Sequence, residues 1–352
     1  MKIRVAILDK DENYKSRLLY HFQMKFADKI ELYAFSSIET LNNILEATRI
    51  DIVLVDEEFV IREEFRNLYN IVYLCKTTGI EAINEKIAIC KFQKCEAIYK
   101  QLLSICADFE SDINMKVKRY SSKLVLFISA QGGSGISTLS AAYALKCAKE
   151  GKKVFYLNLE EFGGANLYFS GNGDMSFTDM IVALKSKKSN LALKLESAIK
   201  TDKSGVDYLD ISKNTYDMYE LEDEEISRLL QGLTETREYS EIIVDVSGGF
   251  DHRKFLLMRE YAEKIVCVND GSSTGNLKFQ RFCELLKVLG DRSEESLVLE
   301  KMVLLYNRYS SKTSSQLEKS PIPVIGGIHR YEGISGRELI EQIAVLSSLE
   351  KI

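Results

Sequence analysis

Several features that define other protein classes are scarce or missing in this sequence. Only two prolines occur among 352 residues, so domain boundaries have to be read from hydrophobic periodicity. The seven cysteines include no C-x-x-C pair, and this spacing indicates neither a disulfide framework nor a zinc site. No apolar run approaches the roughly 20 residues that a membrane-spanning helix needs. The start of the chain reaches Asp9 too soon to contain a secretory apolar segment.

Basic residues are not in excess either. The chain has 47 Lys and Arg against 52 Asp and Glu, and a net charge of −5 argues against a dedicated nucleic-acid binder. With 45% hydrophobic residues it can bury real cores, which excludes a mainly disordered protein. We therefore expect a soluble, cytoplasmic protein with two domains, reduced cysteines and no direct membrane insertion.

The first 110 residues alternate short apolar runs with helical stretches. Strands are predicted at residues 3–9, 30–35, 51–56, 70–74 and 86–90, and helices at 12–26, 38–48 and 94–109. Strands that alternate with helices at this spacing predict a parallel sheet with helices on both faces. Residues 111–122 are polar and charged, and we interpret them as a linker to a second domain at residues 123–352.

A second series of strands and helices begins with the apolar run at residues 124–129. Further strands are predicted at residues 153–159, 206–211, 241–245, 265–269, 302–306 and 324–330. A helix is predicted at residues 224–236, and the stretch from Gly336 to Leu349 is amphipathic. That last stretch is too acidic for an anionic membrane surface, so we expect it to pack onto the domain.

A glycine-rich turn joins the first strand of the second domain to a helix. It reads AQGGSGIST, from Ala130 to Thr138. Such a turn presents backbone N–H groups and the positive end of a helix dipole to a bound anion. Three glycines within four residues are denser than an ordinary tight turn requires, although such a turn is the alternative. The segment therefore predicts phosphate binding.

This turn resembles the deviant Walker A loop of the MinD/ParA group of P-loop ATPases. The usual loop reads Gly-Lys-Gly-Gly-x-Gly-Lys-Ser/Thr-Thr, and here Gln131 replaces its first lysine and Ile136 its second. The second lysine normally holds the β- and γ-phosphates, and the first reaches across a dimer to the partner's nucleotide. The resemblance implies that ATP and Mg²⁺ bind but that hydrolysis is slow or absent. The implied nucleotide-binding residues are Gln131, Gly132, Gly133, Ser134, Gly135, Ile136, Ser137, Thr138, Asn307 and Arg308.

Other landmarks of the same group follow in order, over roughly residues 122–352. Glu160, or its neighbour Glu161, matches the acid that positions the attacking water. The strand that ends at Asp245 is similar to the Walker B strand, which implies that Asp245 and Ser137 hold Mg²⁺; a turn or cap residue is the alternative for Asp245. Asn307-Arg308 matches a pair whose Asn can read the adenine edge, and His329 stands where the group has a proline.

The first domain resembles the receivers of phosphorelay systems. The positions that match their acids, phosphoacceptor, hydroxyl residue and lysine are Asp9, Asp11, Asp56, Cys75 and Lys91. The departures are that Lys10 stands where a second adjacent acid is expected, Cys75 replaces the hydroxyl and Phe92 replaces a proline. We predict that Lys10 neutralises the carboxylates in place of Mg²⁺, so that phosphorylation of Asp56 is disfavoured. The short interval between Cys75 and Lys86 predicts that the fourth helix is trimmed or missing.

An atypical receiver joined to a MinD/ParA-like domain is similar to the TadZ/CpaE family, which localises the machinery of tight-adherence (Flp) pili. The resemblance implies an α/β protein with two doubly wound parallel-sheet domains, a flavodoxin-like receiver and a P-loop NTPase. It also implies a homodimer that binds ATP and works with pilus or secretion proteins at a cell pole or the inner face of the membrane. No nucleic-acid partner is expected.

Two other functions remain open from the sequence. An active ATPase for cargo partition is disfavoured by the missing lysines, and a response regulator phosphorylated at Asp56 is disfavoured by Lys10 and Cys75. A nitrogenase-type reductase is excluded because its cluster-binding cysteine pair has no counterpart among Cys147, Cys267 and Cys283.

Overall fold

A computed structural model describes residues 2–63, 65, 69–109, 122–186, 190–293 and 296–352. The chain divides into two compact units. The first comprises Met1–Val117 together with Ser186–Ser197, and the second comprises Lys118–Lys185 together with Ala198–Ile352. The predicted linker at 111–122 lies outside the described residues except for Ser122.

The first unit is built on a six-stranded sheet with the order β2-β1-β3-β4-β6-β5. All neighbouring strands run parallel except the pair β5 and β6. The central strands β3 and β4 are buried at every position, which is typical of parallel strands that are covered on both faces. The strands are β1 (Ile3–Leu8), β2 (Ile30–Phe35), β3 (Ile52–Asp56), β4 (Ile71–Cys75), β5 (Ala82–Ile83) and β6 (Lys86–Cys90).

Helices cover the two faces of this sheet. Helices α1 (Glu12–Lys25) and α3 (Cys95–Phe109) pack on one face, and α2 (Ile38–Ala47) packs through Leu41 on the other. Residues 76–85 form no helix but lead into the β5–β6 hairpin, whose turn residues Asn84 and Glu85 both have positive φ. The prediction that the fourth helix is trimmed or missing is therefore confirmed.

One helix of the first unit comes from far along the chain. Most of helix α6 (Leu191–Ala198) belongs to this unit, and its Leu193 is buried in the same core cluster as α1 and α3. The ammonium of Lys194 lies 2.7 Å from the carboxylate of Asp108. No pattern in the sequence indicates that residues near 190 pack with the first domain.

The second unit contains an eight-stranded sheet with the order β14-β13-β12-β7-β11-β8-β10-β9. Only β9 is antiparallel to its neighbour. The strands are β7 (Lys123–Ile128), β8 (Val154–Asn158), β9 (Lys200–Thr201), β10 (Val206–Tyr208), β11 (Glu241–Asp245), β12 (Lys264–Asn269), β13 (Met302–Tyr309) and β14 (Val324–His329). Because β7 lies between β12 and β11, the loops that follow these three strands meet at one edge of the sheet.

The remaining helices follow the strands of the second sheet along the chain. They are α4 (Ile136–Lys149), α5 (Phe177–Ser186), α7 (Thr215–Glu220), α8 (Asp223–Thr236), α9 (His252–Leu256), α10 (Ser273–Ser293) and α11 (Gly336–Ile343), with a π turn at Leu257–Tyr261 and 3-10 turns at Ala165–Leu167, Ser296–Lys301 and Ser347–Lys351. Helix α4 is largely buried, and Ile340, Ile343 and Leu349 belong to its core cluster. The C-terminal stretch thus packs onto the domain, as expected. None of the described helices is long and apolar enough to cross a membrane.

Candidate functional site

The glycine-rich loop between β7 and α4 has the conformation of an anion cradle. Gly133 and Gly135 have φ values of 73° and 85°, which only glycine adopts at low cost. Gly135 is the N-cap of α4 and provides no capping side chain, so the first N–H groups of this helix remain available to a ligand. A side chain at Gly132 or Gly133 would enter open space, because no atom of the described residues lies within 4 Å of its Cβ position.

Two side chains from β13 hold the loop in place. The Nδ2 of Asn307 donates a hydrogen bond to the carbonyl oxygen of Ser134 at 2.8 Å, and the Nη1 of Arg308 donates one to the carbonyl oxygen of Gly133 at 2.8 Å. A Cβ at Gly135 would collide with Asn307 Nδ2, so this position has no room for a side chain. The structure therefore brings the predicted pair Asn307-Arg308 to the phosphate loop itself.

Neither of the two positions that usually carry lysine places a positive charge at the loop. Ile136 is only 6% exposed and belongs to the hydrophobic core cluster of the second unit. Burial by itself raises the pKa of Asp270, but hydrogen bonds from Gln131 and Ser272 outweigh it and lower that pKa below its usual range. The Gln131 side chain is thus engaged with Asp270 of the same chain.

Asp245, at the end of β11, is completely buried beside the loop. Its Oδ2 accepts hydrogen bonds from Tyr156 Oη at 2.7 Å and Asn158 Nδ2 at 3.0 Å, whereas its Oδ1 has no hydrogen-bond partner within the described residues. Burial, followed by repulsion from Glu160, raises the pKa of Asp245 to about 8. The hydroxyls of Tyr156, Ser137 and Ser140 oppose this rise in pKa. A buried carboxylate oxygen without a partner, close to a serine hydroxyl, fits Mg²⁺, which prefers oxygen ligands.

This raised pKa predicts that Mg²⁺ binding depends on pH. Asp245 is mostly protonated at pH 7, so a cation must displace the proton, and affinity should rise about tenfold per pH unit from pH 6 towards pH 8. Calorimetry of Mg-ATP binding in buffers of different ionisation enthalpy should show release of up to one proton per site. The Asp245→Asn variant should lose this proton release. Affinity that falls between pH 6 and 8 would contradict the assignment.

Without metal, the effect of Asp245 on stability changes with pH in the direction opposite to that of most carboxylates. Because the folded pKa of Asp245 lies above its ordinary value, the folded chain binds this proton more tightly than the unfolded chain. The contribution of Asp245 to the free energy of unfolding is therefore most favourable at low pH and is lost as the pH rises from about 4 towards 8.

A cavity of about 390 Å³ lies next to the start of helix α4 and the end of β13. The Thr138 and Tyr168 hydroxyls lie 3.2 Å apart at its wall. The rings of His329 and Tyr331 lie with their centroids 4.3 Å apart, tilted by 32°. Its lining includes Thr138, Tyr168, Asn307, Arg308, His329 and Tyr331. The cavity is thus lined by polar groups near the loop and by aromatic rings against which a planar group can pack.

Sequence reasoning missed two tyrosines of this site. Tyr156 lies two residues before Asn158 in β8, so both side chains point to the same face, and β8 pairs with β11 next to Asp245. Strand alternation could have found Tyr156. Tyr168 follows a 3-10 turn, Ala165–Leu167, and no sequence pattern indicates its contact with Thr138.

Glu160 follows β8 at the same edge of the sheet. Its N–H group donates a hydrogen bond to Asn158 Oδ1 at 3.1 Å, and its charge raises the pKa of Asp245. Glu161 is exposed. Of the two predicted acids, Glu160 is therefore the one whose charge acts on the candidate Mg²⁺ ligand.

The receiver pocket in the first unit is closed by a buried lysine. The Nζ of Lys91 lies 3.0 Å from Asp9 Oδ2 and 2.6 Å from Asp56 Oδ2, and all three residues are buried. The other carboxylate oxygens accept N–H groups from Asp11 at 2.8 Å and Glu58 at 3.0 Å. Burial by itself lowers the pKa of Lys91, but the hydrogen bonds to Asp56 and Asp9 outweigh it and raise the pKa above its ordinary value.

This geometry corrects the predicted role of Lys10. Lys10 is exposed, and its ammonium lies 5.2 Å from the centroid of the Phe59 ring, so Lys91 and not Lys10 neutralises the carboxylates. Asp11 caps helix α1 by accepting the N–H of Tyr14 at 3.0 Å. Among the described residues, no group of three or more His, Cys, Asp or Glu side chains is placed to hold a metal ion.

Cys75 lies at the position of the receiver's hydroxyl residue, but its thiol is used in a local hydrogen bond. Its thiol donates to the carbonyl oxygen of Thr77 at 3.3 Å, and burial raises its pKa. The residue after Lys91 is Phe92, whose ring is 63% exposed and lies 5.7 Å from the Lys91 ammonium. The pocket thus retains the acids and lysine of a receiver with altered surroundings.

We expect that a small phosphodonor does not modify Asp56. Both oxygens of this carboxylate are engaged, by Lys91 and by the N–H of Glu58, so the nucleophile is not free. Incubation of the protein with acetyl phosphate and Mg²⁺ should leave its intact mass unchanged. The appearance of one phosphate adduct per chain, absent from the Asp56→Asn variant, would show that the pocket opens.

The chain is similar to known proteins in its receiver part and in its overall fold. Residues 1–107 match the family model of the TadZ-like receiver domain. No curated protein sequence matches the chain. The structure of a ParA family ATPase from Chlorobium tepidum TLS has a TM-score of 0.50 and 22% identity, and the match covers 66% of this chain and 95% of that one.

Two further structures are similar at lower TM-scores. The MinD cell division protein of Aquifex aeolicus has a TM-score of 0.47 and 17% identity, covering 63% of this chain and 95% of that one. The septum site-determining protein MinD of Pyrococcus horikoshii OT3, complexed with Mg-ADP, has a TM-score of 0.44 and 17% identity, covering 64% and 95%. The family model and the ParA structure together confirm the predicted fold class, an α/β receiver followed by a P-loop NTPase fold.

Proposed function

We propose that this chain is a TadZ/CpaE-like, ATP-binding localisation and assembly factor of a pilus or secretion system, because a TadZ-like receiver domain is followed by a ParA-type fold. The observation that carries ATP binding is the uncapped start of helix α4 next to a buried carboxylate oxygen, Asp245 Oδ1, that lacks a partner within the described residues. A loop that served only as a turn would have no need for either feature.

In this proposal the phosphates lie on the N–H groups of residues 132–138. Mg²⁺ is held by Ser137 and, directly or through water, by Asp245, and it neutralises part of the phosphate charge. The base occupies the cavity beside His329 and Tyr331. The side chains of Asn307 and Arg308 hold the loop in shape for the ligand because they bind the carbonyl groups of Ser134 and Gly133.

Hydrolysis is weak or absent in this proposal. Phosphoryl transfer needs positive charge placed at the transferring group, and the two loop positions that usually carry this charge are Gln131 and Ile136 here. Glu160 could orient water, but it follows a strand that ends in Asn158 instead of an acid. Nucleotide binding would then act as a structural signal and not as the start of a rapid cycle, which disfavours the cargo-partition ATPase.

The receiver provides recognition of a partner or a cell pole without phosphorylation. The Lys91 ion pairs fill the pocket that a phosphate and a metal would need in a response regulator. The chain would therefore differ from a response regulator in that nucleotide binding, and not phosphorylation of Asp56, sets its state.

Light scattering tests the assembly part of this function. We expect a homodimer at micromolar concentration with Mg-ATP. Because Gln131 is engaged with Asp270 in its own chain, the Gln131→Ala variant should remain dimeric. A strictly monomeric wild-type protein with saturating ATP would contradict the proposal.

The role in the cell needs a separate experiment. A fluorescent fusion of the chain should form a focus at the pole or the site of pilus assembly, and cells without the protein should lack surface pili. Diffuse fluorescence with normal pili would refute the role in pilus localisation and leave nucleotide binding unaffected.

A further inference from the structure

The structure places an arginine where the loop lacks its lysines. Arg308 is exposed, and its Nη1 donates to the carbonyl oxygen of Gly133 at 2.8 Å. Its Nε lies 3.6 Å from the position that a Cβ of Gly135 would occupy, so the guanidinium runs along the loop from one glycine to the other. A guanidinium has five N–H groups, and within the described part of the chain the hydrogen bond from Arg308 to Gly133 engages one of them, which leaves others to bind an anion.

An unusual backbone conformation gives the arginine this position. Arg308 has φ of 53°, in the left-handed region that residues other than glycine rarely adopt. Between the pairs Tyr306–Gly327 and Tyr309–His329, strand β13 has two residues where β14 has one, which is a bulge. Bulges redirect side chains and are frequent beside functional sites.

The bulge explains how two consecutive residues reach the same loop. In a regular strand, Asn307 and Arg308 would point to opposite faces of the sheet. Here Asn307 contacts the carbonyl of Ser134 and Arg308 that of Gly133. Asn307 already anchors the loop. A second anchor would therefore not by itself account for the strained backbone conformation of Arg308.

We propose that Arg308 is the cation that contacts the phosphate chain of the bound nucleotide, in place of the two lysines of the usual loop. This inference rests on the proposed ATP binding and adds the group that selects for di- and triphosphates. Arg308 makes no ion pair within the described residues, so no carboxylate neutralises it there. Its planar fork can bind phosphate oxygens in pairs, which a lysine cannot do.

Calorimetry of the full chain with ATP, ADP and AMP in Mg²⁺ tests this assignment. The Arg308→Gln variant should lose roughly 10- to 100-fold in ATP affinity, the range expected for a charged hydrogen bond, and less for ADP. AMP binding should change by less than about twofold, because AMP lacks the distal phosphates that the charge contacts. Arg308→Gly, which suits the positive φ, should show the same pattern, and Arg308→Lys should recover part of the ATP affinity.

The matched control is Lys312→Gln, which removes an exposed cation four residues further along and should leave all three affinities unchanged. An equal loss for ATP, ADP and AMP would overturn the proposal by showing that Arg308 acts only through the shape of the loop. Unchanged ATP affinity in Arg308→Gln would overturn it as well. If the wild-type chain bound no ATP, the proposed function itself would fail, which is a different result from a wild type that binds and a variant that binds equally well.

Discussion

Replacing Gly133 with valine should abolish measurable Mg-ATP binding and leave the chain folded. At a φ of 73° a side chain costs about 1–2 kcal/mol of backbone strain, and the Cβ would enter the open space above the loop where the phosphates are proposed to lie. Loss of several charged hydrogen bonds, each about 1.5–3 kcal/mol, corresponds to a fall of more than about a hundredfold in affinity. Calorimetry with ATP measures this loss.

Gly151 provides the matched control for this variant. It lies in the turn after α4, has φ of 82°, and likewise has no atom of the described residues within 4 Å of its Cβ position. The Gly151→Val variant therefore carries a similar backbone cost outside the site. Its thermal stability should fall as much as that of Gly133→Val, and its ATP affinity should match the wild type. Equal losses of ATP affinity in both variants would show that strain alone explains the effect.

Replacing Lys91 with methionine should destabilise the first unit by about 3–5 kcal/mol at pH 7. Removal of one partner of a buried ion pair leaves an uncompensated buried charge, and here two carboxylates, Asp9 and Asp56, lose the same partner. Hydrogen exchange of the amides of β1 and β3 in the full chain gives the local free energy of opening. The control is Lys10→Met, which changes an exposed lysine and should alter that free energy by less than about 0.5 kcal/mol.

The raised pKa of Lys91 determines how the stability difference between wild type and Lys91→Met changes at alkaline pH. Because the pKa of Lys91 is raised in the folded chain, its contribution to stability is complete below the ordinary lysine pKa and is lost as the pH rises through the raised value. The difference between wild type and Lys91→Met should therefore shrink only at strongly alkaline pH. A Lys10→Met variant as unstable as Lys91→Met would restore the role that the sequence predicted for Lys10.

Patterns that depend on one local element could be predicted from the sequence. Residues 30–35 and 86–90 are strands with the predicted bounds. The apolar runs predicted at 51–56 and 70–74 are strands within one residue of those bounds, and they are buried at every position, as parallel strands covered on both faces are. The glycine-rich turn could be predicted as well, because backbone geometry requires glycine at two of its positions, whereas phosphate binding there stays a prediction. The missing receiver helix followed from chain length alone.

Features that depend on contacts distant in sequence could not be predicted. The choice between Lys10 and Lys91 as the neutralising residue is set by where two strands end relative to each other. The contact of Gln131 with Asp270 joins the loops after β7 and β12, and the bulge at Asn307-Arg308 exists only through the pairing of β13 with β14. Helix α6 gave no sign in its own residues that it packs with the first unit.

Titration calorimetry of the wild-type chain with ATP in the presence of Mg²⁺ tests the central claim most directly. The claim is that a phosphate loop without either lysine still binds the nucleotide, through its N–H groups, Ser137 and Asp245. The account predicts saturable binding of one ATP per chain, with weaker binding when Mg²⁺ is removed. Absence of saturable binding at millimolar ATP, with a chain shown to be folded, would contradict it.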